Sequence, residues 1–139
     1  LTYKYLDETL DFNKYEFFFM GRSPVAFKSI VSLWALGSQE VADELRKSDI
    51  FITASENDPC SNSLIEALSC GLPALALKSG GHPELIGQNG LFYNRKEEIV
   101  NKLEDICDNY LNFKHNIEIE SILSTGDRYI EFFTHACNL

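Results

Sequence analysis

Two acidic side chains flank the start of a predicted helix. Asp58 and Glu66 are separated by seven residues, Asp58 in a polar loop and Glu66 one turn inside the helix. Both carboxylates can therefore face one crevice. Because a carboxylate accepts hydrogen bonds from vicinal hydroxyls two at a time, this pair could hold the diol of a ribose or a hexose.

The same residues also fit a purely structural interpretation. Ser63 and Glu66 have the spacing of a capping box, in which the glutamate accepts a hydrogen bond from a backbone N–H at the helix start. Asp58-Pro59 could form an ordinary turn. Caps are so common that the spacing alone favours this second interpretation.

The start of the helix is itself a candidate binding site. Ser61, Asn62 and Ser63 open the helix, and its first backbone N–H groups have no partner within the helix. These groups, together with the positive end of the helix dipole, suit a phosphate.

A glycine-rich loop follows the next predicted strand. Gly80 and Gly81 would let the backbone approach a ligand closely, and Glu84 could point into the same crevice. The alternative is a plain turn between a strand and a helix, which the local pattern favours. His82 is interpreted as an ordinary loop histidine and not as a catalytic base.

Two basic residues lie beyond the end of the first predicted strand. Arg22 and Lys28 could neutralise a diphosphate that arrives at the helix start. Without further context, two solvated surface charges are the simpler interpretation.

The elements that would position these residues alternate between strands and helices, which predicts an α/β fold: a Rossmann-like parallel sheet with helices on both faces. Ligands bind such sheets at the carboxyl ends of the strands. Leu1–Lys14 is interpreted as the tail of a preceding link or helix. The predicted strands are 16–20, 30–33, 49–54, 74–77 and 91–93. The predicted helices are 38–47 with Ser38 as N-cap, 61–70, a single turn at Pro83, 96–111, and one that starts near Asp127.

The size, the net charge and the cysteine spacing of the chain disfavour several classes of protein. The 139 residues form one predicted domain with a core at 16–93 and closing helices at about 96–136. A net charge of −9 disfavours nucleic acid or an anionic membrane as the main partner. No apolar run reaches the roughly 20 residues of a membrane span. The four cysteines lack any CxxC or metal-ligand spacing, which favours reduced thiols, a cytoplasmic setting and no metal site.

Taken together, these stretches resemble the C-terminal, donor-binding half of the family 4 glycosyltransferases, which have the two-domain GT-B fold. The family pattern is a Gly-Arg…Lys segment, E-x7-E running into EALxCGxP, and GGxxE. The matches cover roughly residues 16–93. They are Gly21-Arg22 with Lys28, Asp58-x7-Glu66, Glu66–Pro73 as EALSCGLP, and Gly80-Gly81-His82-Pro83-Glu84.

The resemblance implies a role for each matching position. Arg22 and Lys28 would hold the donor diphosphate, and the backbone of Ser61, Asn62, Ser63 and Leu64 would hold phosphate and approach the sugar. Glu66 would bind the ribose hydroxyls, Asp58 the transferred hexose, and Gly80, Gly81 and Glu84 would line the crevice. Asp58 departs from the family, which usually has the longer glutamate there.

The activity implied by the resemblance is sugar transfer from a nucleotide diphosphate donor, with retention and without an essential metal or other cofactor. The acceptor, a glycan, lipid or small molecule, would bind to an N-terminal half that this chain lacks. The chain alone is expected to bind UDP or GDP weakly and to catalyse nothing. The full-length protein is expected in the cytoplasm, where it could also associate peripherally with a membrane. The alternatives are a non-catalytic nucleotide-sugar-binding subunit, another GT-B enzyme such as a nucleotide-sugar epimerase, and, least favoured, a receiver-like signalling domain.

Overall fold

The computed structural model describes residues 2–34, 36–117 and 119–137, in which strands and helices alternate. The strands are β1 (Phe18–Met20), β2 (Val31–Leu33), β3 (Phe51–Thr53), β4 (Ala74–Leu77) and β5 (Gly90–Tyr93). The helices are α1 (Thr2–Thr9), α2 (Ser38–Lys47), α3 (Asn62–Ser69), α4 (His82–Ile86), α5 (Ile99–Asp108), α6 (Tyr110–His115) and α7 (Ile122–Ala136), with a 3-10 turn at Lys96–Glu98 before α5.

All strand pairs in the described residues are parallel, which confirms the predicted α/β class. They form two sheets, one of β1 and β2 and one in the order β3-β4-β5. The sequence predicts one continuous sheet, whereas in the structure β1 and β3 are not paired with each other.

Helices cover both faces of the larger sheet. On β4, Leu75 packs in a cluster with residues of α1 and α5. Its neighbours Ala74 and Ala76 pack in another cluster with residues of α3 and α4. Because successive side chains of a strand point to opposite faces, this alternation places the two groups of helices on opposite sides of β4.

One predicted N-cap and one predicted helix start are wrong, and local geometry explains both. The N-cap of α2 is Gly37, one residue before Ser38, and its N–H donates to the Glu40 carboxylate at 2.7 Å. The last helix begins at Ile122 and not near Asp127, because the Ser121 hydroxyl accepts from the Ser124 N–H at 3.1 Å and caps it. A serine N-cap offsets the low helix propensity of the glycine in α7.

The predicted helix over 96–111 is interrupted. Asn109 leaves the helical conformation at φ −114° and ψ 21°, and its side-chain amide donates to the Asp105 carbonyl at 3.0 Å. Asparagine competes in this way with the backbone bonds of a helix, which explains the break between α5 and α6.

The first residues of the chain, which the sequence analysis interprets as the tail of a preceding link or helix, contain the helix α1.

The closing helix α7 is amphipathic but its apolar side chains are exposed. None of the helices in the described ranges has both the length and the apolar character of a membrane span.

Candidate functional site

A cavity of about 1500 Å³ lies between β1 and β3 and extends to the carboxyl ends of both strands. Arg22, which follows β1, lines it together with Ser63 and Glu66 of α3 and Ser55 of the loop after β3. Three of the predicted site residues, from parts of the chain some 40 residues apart, therefore lie on the wall of one cavity.

The Glu66 carboxylate does not take part in a helix cap. The N-cap of α3 is Ser61, which places Ser63 inside the first turn and Leu64 at the position where a capping box requires an acidic residue or glutamine. The capping-box interpretation of Ser63 and Glu66 is thus wrong. Glu66 is exposed to solvent at the cavity wall, where its carboxylate is accessible to a ligand.

The start of α3 retains N–H groups for a ligand. Ser61 is buried, with 2% of its surface exposed, and makes no side-chain cap hydrogen bond. Its hydroxyl lies 3.3 Å from the Ser63 hydroxyl instead. The N–H groups at the start of an α-helix have no acceptor within the helix, so those of the exposed residues Asn62 and Ser63 can donate to a ligand. Leu64, the third residue predicted to contribute its backbone, is fully buried.

Asp58 forms a turn. One of its carboxylate oxygens accepts from the Cys60 N–H at 3.1 Å, and its carbonyl accepts from the Gly81 N–H at 2.9 Å. The turn interpretation of Asp58-Pro59 therefore holds in the structure. The second carboxylate oxygen accepts no hydrogen bond within the described residues.

The paired glycines approach the neighbouring loop. A Cβ on Gly80 would lie 2.2 Å from the Asp58 carbonyl oxygen, and one on Gly81 would lie 2.2 Å from that of Pro59. Gly80 also has a positive φ of 55°, which favours glycine. The space that the missing side chains leave is filled by the backbone of the β3–α3 loop, so the two loops form one packed unit.

His82 joins the same two loops from inside. It is fully buried; its Nδ1 lies 2.8 Å from the Leu77 carbonyl oxygen and its Nε2 lies 3.1 Å from the Ser55 hydroxyl. A carbonyl only accepts, so Nδ1 carries a proton and donates it to Leu77. The sequence interpretation of His82 as a loop residue missed this contact, for which the chain gives no local signal.

The loop that carries Lys28 is held by a residue that the sequence analysis overlooked. The Asp7 carboxylate of α1 accepts from the N–H groups of Lys28, Ser29 and Ile30 at 2.8 to 2.9 Å. Burial alone would raise the pKa of Asp7, but these three bonds and the charge of Lys28 outweigh it and lower the pKa below its usual value.

Two tyrosines fix the end of β3, from which the β3–α3 loop departs. The Tyr93 hydroxyl donates to the Thr53 carbonyl at 3.0 Å, and the Tyr3 hydroxyl accepts from the Ala54 N–H at 3.1 Å. Burial raises the pKa of both tyrosines, so both stay neutral at physiological pH. The loop therefore leaves the sheet in a fixed direction.

The remaining predicted site residues do not line the cavity. Glu84 is exposed in the first turn of α4, and the Lys28 side chain is exposed on its loop. Nothing in the described ranges forms a group of three or more potential metal ligands. The predicted residues outside the cavity lining are Lys28, Asp58, Ser61, Asn62, Leu64, Gly80, Gly81 and Glu84.

Comparison with known protein families agrees with the resemblance to glycosyltransferases that the sequence motifs indicate. The model of the family described as "Glycosyl transferases group 1" matches residues 7–109, which include both loops and all of the cavity lining except Tyr3 and Tyr110.

Individual relatives match shorter parts of the chain. A sulfoquinovosyl transferase of Arabidopsis thaliana is 26% identical over 98 residues, which are 67% of this chain and 18% of that protein. An N-acetyl-alpha-D-glucosaminyl L-malate synthase of Bacillus anthracis is 40% identical over 52 residues, 37% of this chain and 14% of its own length. An alpha-monoglucosyldiacylglycerol synthase of Acholeplasma laidlawii is 30% identical over 89 residues, which are 63% of this chain and 22% of that protein. The chain thus spans about a fifth or less of these curated relatives.

Proposed function

Because the chain belongs to the group 1 glycosyl transferases, we propose that it is the donor-binding half of a GT-B glycosyltransferase and binds a nucleotide diphosphate sugar. The observation that carries this proposal is the shared cavity wall of Arg22, Ser63 and Glu66. A guanidinium, a helix start and an accessible carboxylate are the groups that bind a diphosphate and a sugar diol.

The diphosphate would bind between Arg22 and the start of α3. The Arg22 guanidinium can form two parallel hydrogen bonds to phosphate oxygens. The N–H groups at the start of α3 and the helix dipole would add positive potential from the opposite side. Lys28, on the loop that Asp7 holds, would contribute a further charge from the rim.

The ribose would bind to Glu66. Since its carboxylate is not used in a helix cap, both oxygens remain available for the two vicinal hydroxyls. Asp58 would contact the transferred hexose through the oxygen that does not bind the Cys60 N–H. Gly80, Gly81 and Glu84 would border the donor, with the glycines setting how closely the two loops pack.

The reaction would be metal-independent transfer of the sugar, with retention, to an acceptor held by another part of the full-length protein. Arg22 and the start of α3 would stabilise the negative charge that develops on the leaving diphosphate. The relatives carry names of sulfoquinovosyl, N-acetylglucosaminyl and glucosyl enzymes, so the shared part of the chain is compatible with several sugars.

A calorimetric titration of the full-length protein with UDP, GDP and ADP tests this proposal. We expect at least one nucleotide to bind, and Glu66→Gln to weaken that binding about 10-fold, equivalent to the ~1.4 kcal/mol typical of a charged hydrogen bond. Glu131→Gln, on the exposed face of α7, is the matched control and should leave the affinity unchanged. Equal affinities of the wild type and Glu66→Gln would contradict the assignment.

A further inference from the structure

Ser55 lies on the wall of the cavity, two residues after the end of β3, and no motif of the sequence assigns it a role. It comes three residues before Asp58, in the loop that the proposed function places beside the transferred sugar. Ser55 is only partly buried, so a molecule in the cavity can reach it. The contacts of its hydroxyl within the protein determine what it can offer to such a molecule.

Two side chains hold the Ser55 hydroxyl. The Nε2 atom of His82 lies 3.1 Å from the Ser55 Oγ, and the Oγ1 atom of Thr53 lies 3.2 Å from it. The Ser55 N–H also donates to the Thr53 Oγ1, at 3.4 Å. Because Thr53 and His82 are themselves buried, both the backbone and the side chain of Ser55 are held in place from inside the protein.

The proton count on His82 decides which of these groups donates. Its Nδ1 already carries a proton, which it donates to the Leu77 carbonyl. A second proton on Nε2 would make the ring a fully buried cation, and among the residues that the structure describes no carboxylate forms an ion pair with it. A buried charge without such a partner is costly, so the neutral ring is the form that fits this site. The Ser55 hydroxyl then donates to Nε2.

The hydrogen-bonding capacity of Ser55 is therefore almost used up. A serine hydroxyl has one proton and two acceptor lone pairs. Its proton goes to His82, so the Thr53 hydroxyl must be the donor in the contact between Thr53 and Ser55, and it occupies one lone pair. One lone pair remains. Ser55 thus offers an acceptor, and no donor, to a ligand in the cavity.

An acceptor at this place distinguishes between the parts of a nucleotide diphosphate sugar. Ionised phosphate oxygens only accept, so they cannot bond to it, whereas sugar hydroxyls can donate to it. The loops that carry Ser55 and His82 meet where the Gly81 N–H donates to the carbonyl of Asp58, the residue assigned above to the transferred sugar. Both the chemistry and the position of Ser55 therefore favour the sugar over the diphosphate.

We infer that the Ser55 hydroxyl accepts a hydrogen bond from a hydroxyl of the transferred sugar, and that His82 is the positioning residue that holds it ready for this contact. The inference rests on the proposed function, because it needs a nucleotide diphosphate sugar in the cavity. His82 is fully buried and acts only through Ser55. The contact lets the protein distinguish a nucleotide sugar from the same nucleotide without its sugar.

Calorimetric titrations of the full-length protein test the contact. The probes are UDP against UDP-glucose and UDP-N-acetylglucosamine, and GDP against GDP-mannose. The quantity compared is the ratio of the dissociation constants of a nucleotide sugar and its nucleotide. For at least one pair, Ser55→Ala should shift this ratio against the nucleotide sugar by about 3- to 10-fold, the effect of one lost hydrogen bond. Ser69→Ala, exposed at the end of α3, is the matched control and should leave the ratio unchanged.

The role of His82 is tested by the same ratio, which a purely structural defect would not shift. His82→Leu should shift it as Ser55→Ala does, and the double variant should shift it no further, because His82 acts through Ser55. His82→Gln, whose amide oxygen offers Ser55 an acceptor, should restore part of the discrimination. Circular dichroism shows whether each variant is folded, and Ser55→Ala decides the inference by itself if His82→Leu does not fold.

The outcomes separate this inference from the proposed function. If none of the nucleotides or nucleotide sugars binds to the wild type, the proposed function is wrong and the inference is overturned with it. If they bind but Ser55→Ala leaves every ratio unchanged, the inference alone is overturned; an equal loss of both affinities would mean that Ser55 contacts the nucleotide instead. Additive effects of Ser55→Ala and His82→Leu on the ratio would overturn the positioning role of His82.

Discussion

The imidazole of His82 lies 3.1 Å from the hydroxyl of Ser55 and 2.8 Å from the carbonyl oxygen of Leu77. This buried contact links the loop after β3 to the loop after β4, and both loops belong to the proposed donor site. Two further bonds support the link, from the Asn57 N–H to the Ser79 hydroxyl and from the Gly81 N–H to the Asp58 carbonyl. The two loops should consequently respond together to a change in either one.

Replacing His82 by leucine should lower the free energy of unfolding by about 1–3 kcal/mol, because the Leu77 carbonyl and the Ser55 hydroxyl lose their buried partner. Chemical denaturation at pH 7 measures this change. His115→Leu, on the exposed end of α6, is the control and should change the free energy by less than about 0.5 kcal/mol. Equal effects of the two substitutions would contradict the linking role of His82.

Replacing Gly81 by alanine should push the two loops apart. Its φ is in the ordinary range, so the added methyl group acts mainly through its 2.2 Å approach to the Pro59 carbonyl oxygen. We expect a loss of about 1–3 kcal/mol of stability, as for overpacking, and weaker nucleotide binding.

Gly126→Ala is the matched substitution for comparison. A Cβ at Gly126 meets nothing within 4 Å, and alanine is the better helix former by up to about 1 kcal/mol. Its melting temperature should equal or exceed that of the wild type. A Gly81→Ala variant as stable as Gly126→Ala would show that the loops are not tightly packed.

Replacing Asp7 by asparagine should destabilise the loop that carries Lys28. An amide has one acceptor oxygen where the carboxylate uses two, so about 1–3 kcal/mol of unfolding free energy should be lost at pH 7. Asp108→Asn, exposed at the end of α5, is the control and should change little.

The effect of Asp7 should also depend on pH. The pKa of Asp7 is lower in the folded state than in the unfolded chain, where it is about 3.9. The ionised carboxylate therefore stabilises the fold above about pH 4, and this contribution is lost as the pH falls through the folded-state pKa. Denaturation curves from pH 7 to pH 2.5 should show the wild type and Asp7→Asn converging. A constant difference over this range would contradict the charge-based explanation.

Replacing Arg22 by glutamine should weaken binding of nucleoside diphosphates about 10-fold or more while leaving nucleoside binding nearly unchanged, since a bidentate phosphate contact is lost. Arg46→Gln removes an exposed arginine of α2 that pairs with Asp43, and serves as the charge-matched control. Competition titrations with UDP and uridine, or with GDP and guanosine, measure the difference. An equal loss for the nucleoside would place Arg22 away from the phosphates.

Local patterns were enough to predict the class of fold and most of its elements. The strand at Ala74–Leu77 and the helix at Ser38–Lys47 have the predicted bounds. The strand is a continuous apolar run and the helix has a helical apolar stripe, and both patterns depend only on residues that are close in the sequence. The motif EALSCGLP likewise identified α3 and the family. Boundaries failed where a single side chain decided them, as Ser121 does for α7.

The sequence by itself therefore determined a parallel α/β fold, a glycosyltransferase family and the types of residue at the candidate site. Only the tertiary structure decided that Asp7 holds the Lys28 loop 21 residues away, that Gly80 and Gly81 pack on the Asp58 loop, and that the sheet is open between β1 and β3. The physical reason is the range of the interactions. Periodicity and caps involve residues a few positions apart. Each of these contacts instead joins two segments that are far apart in the sequence, and the residues of one segment do not indicate which other segment it will contact.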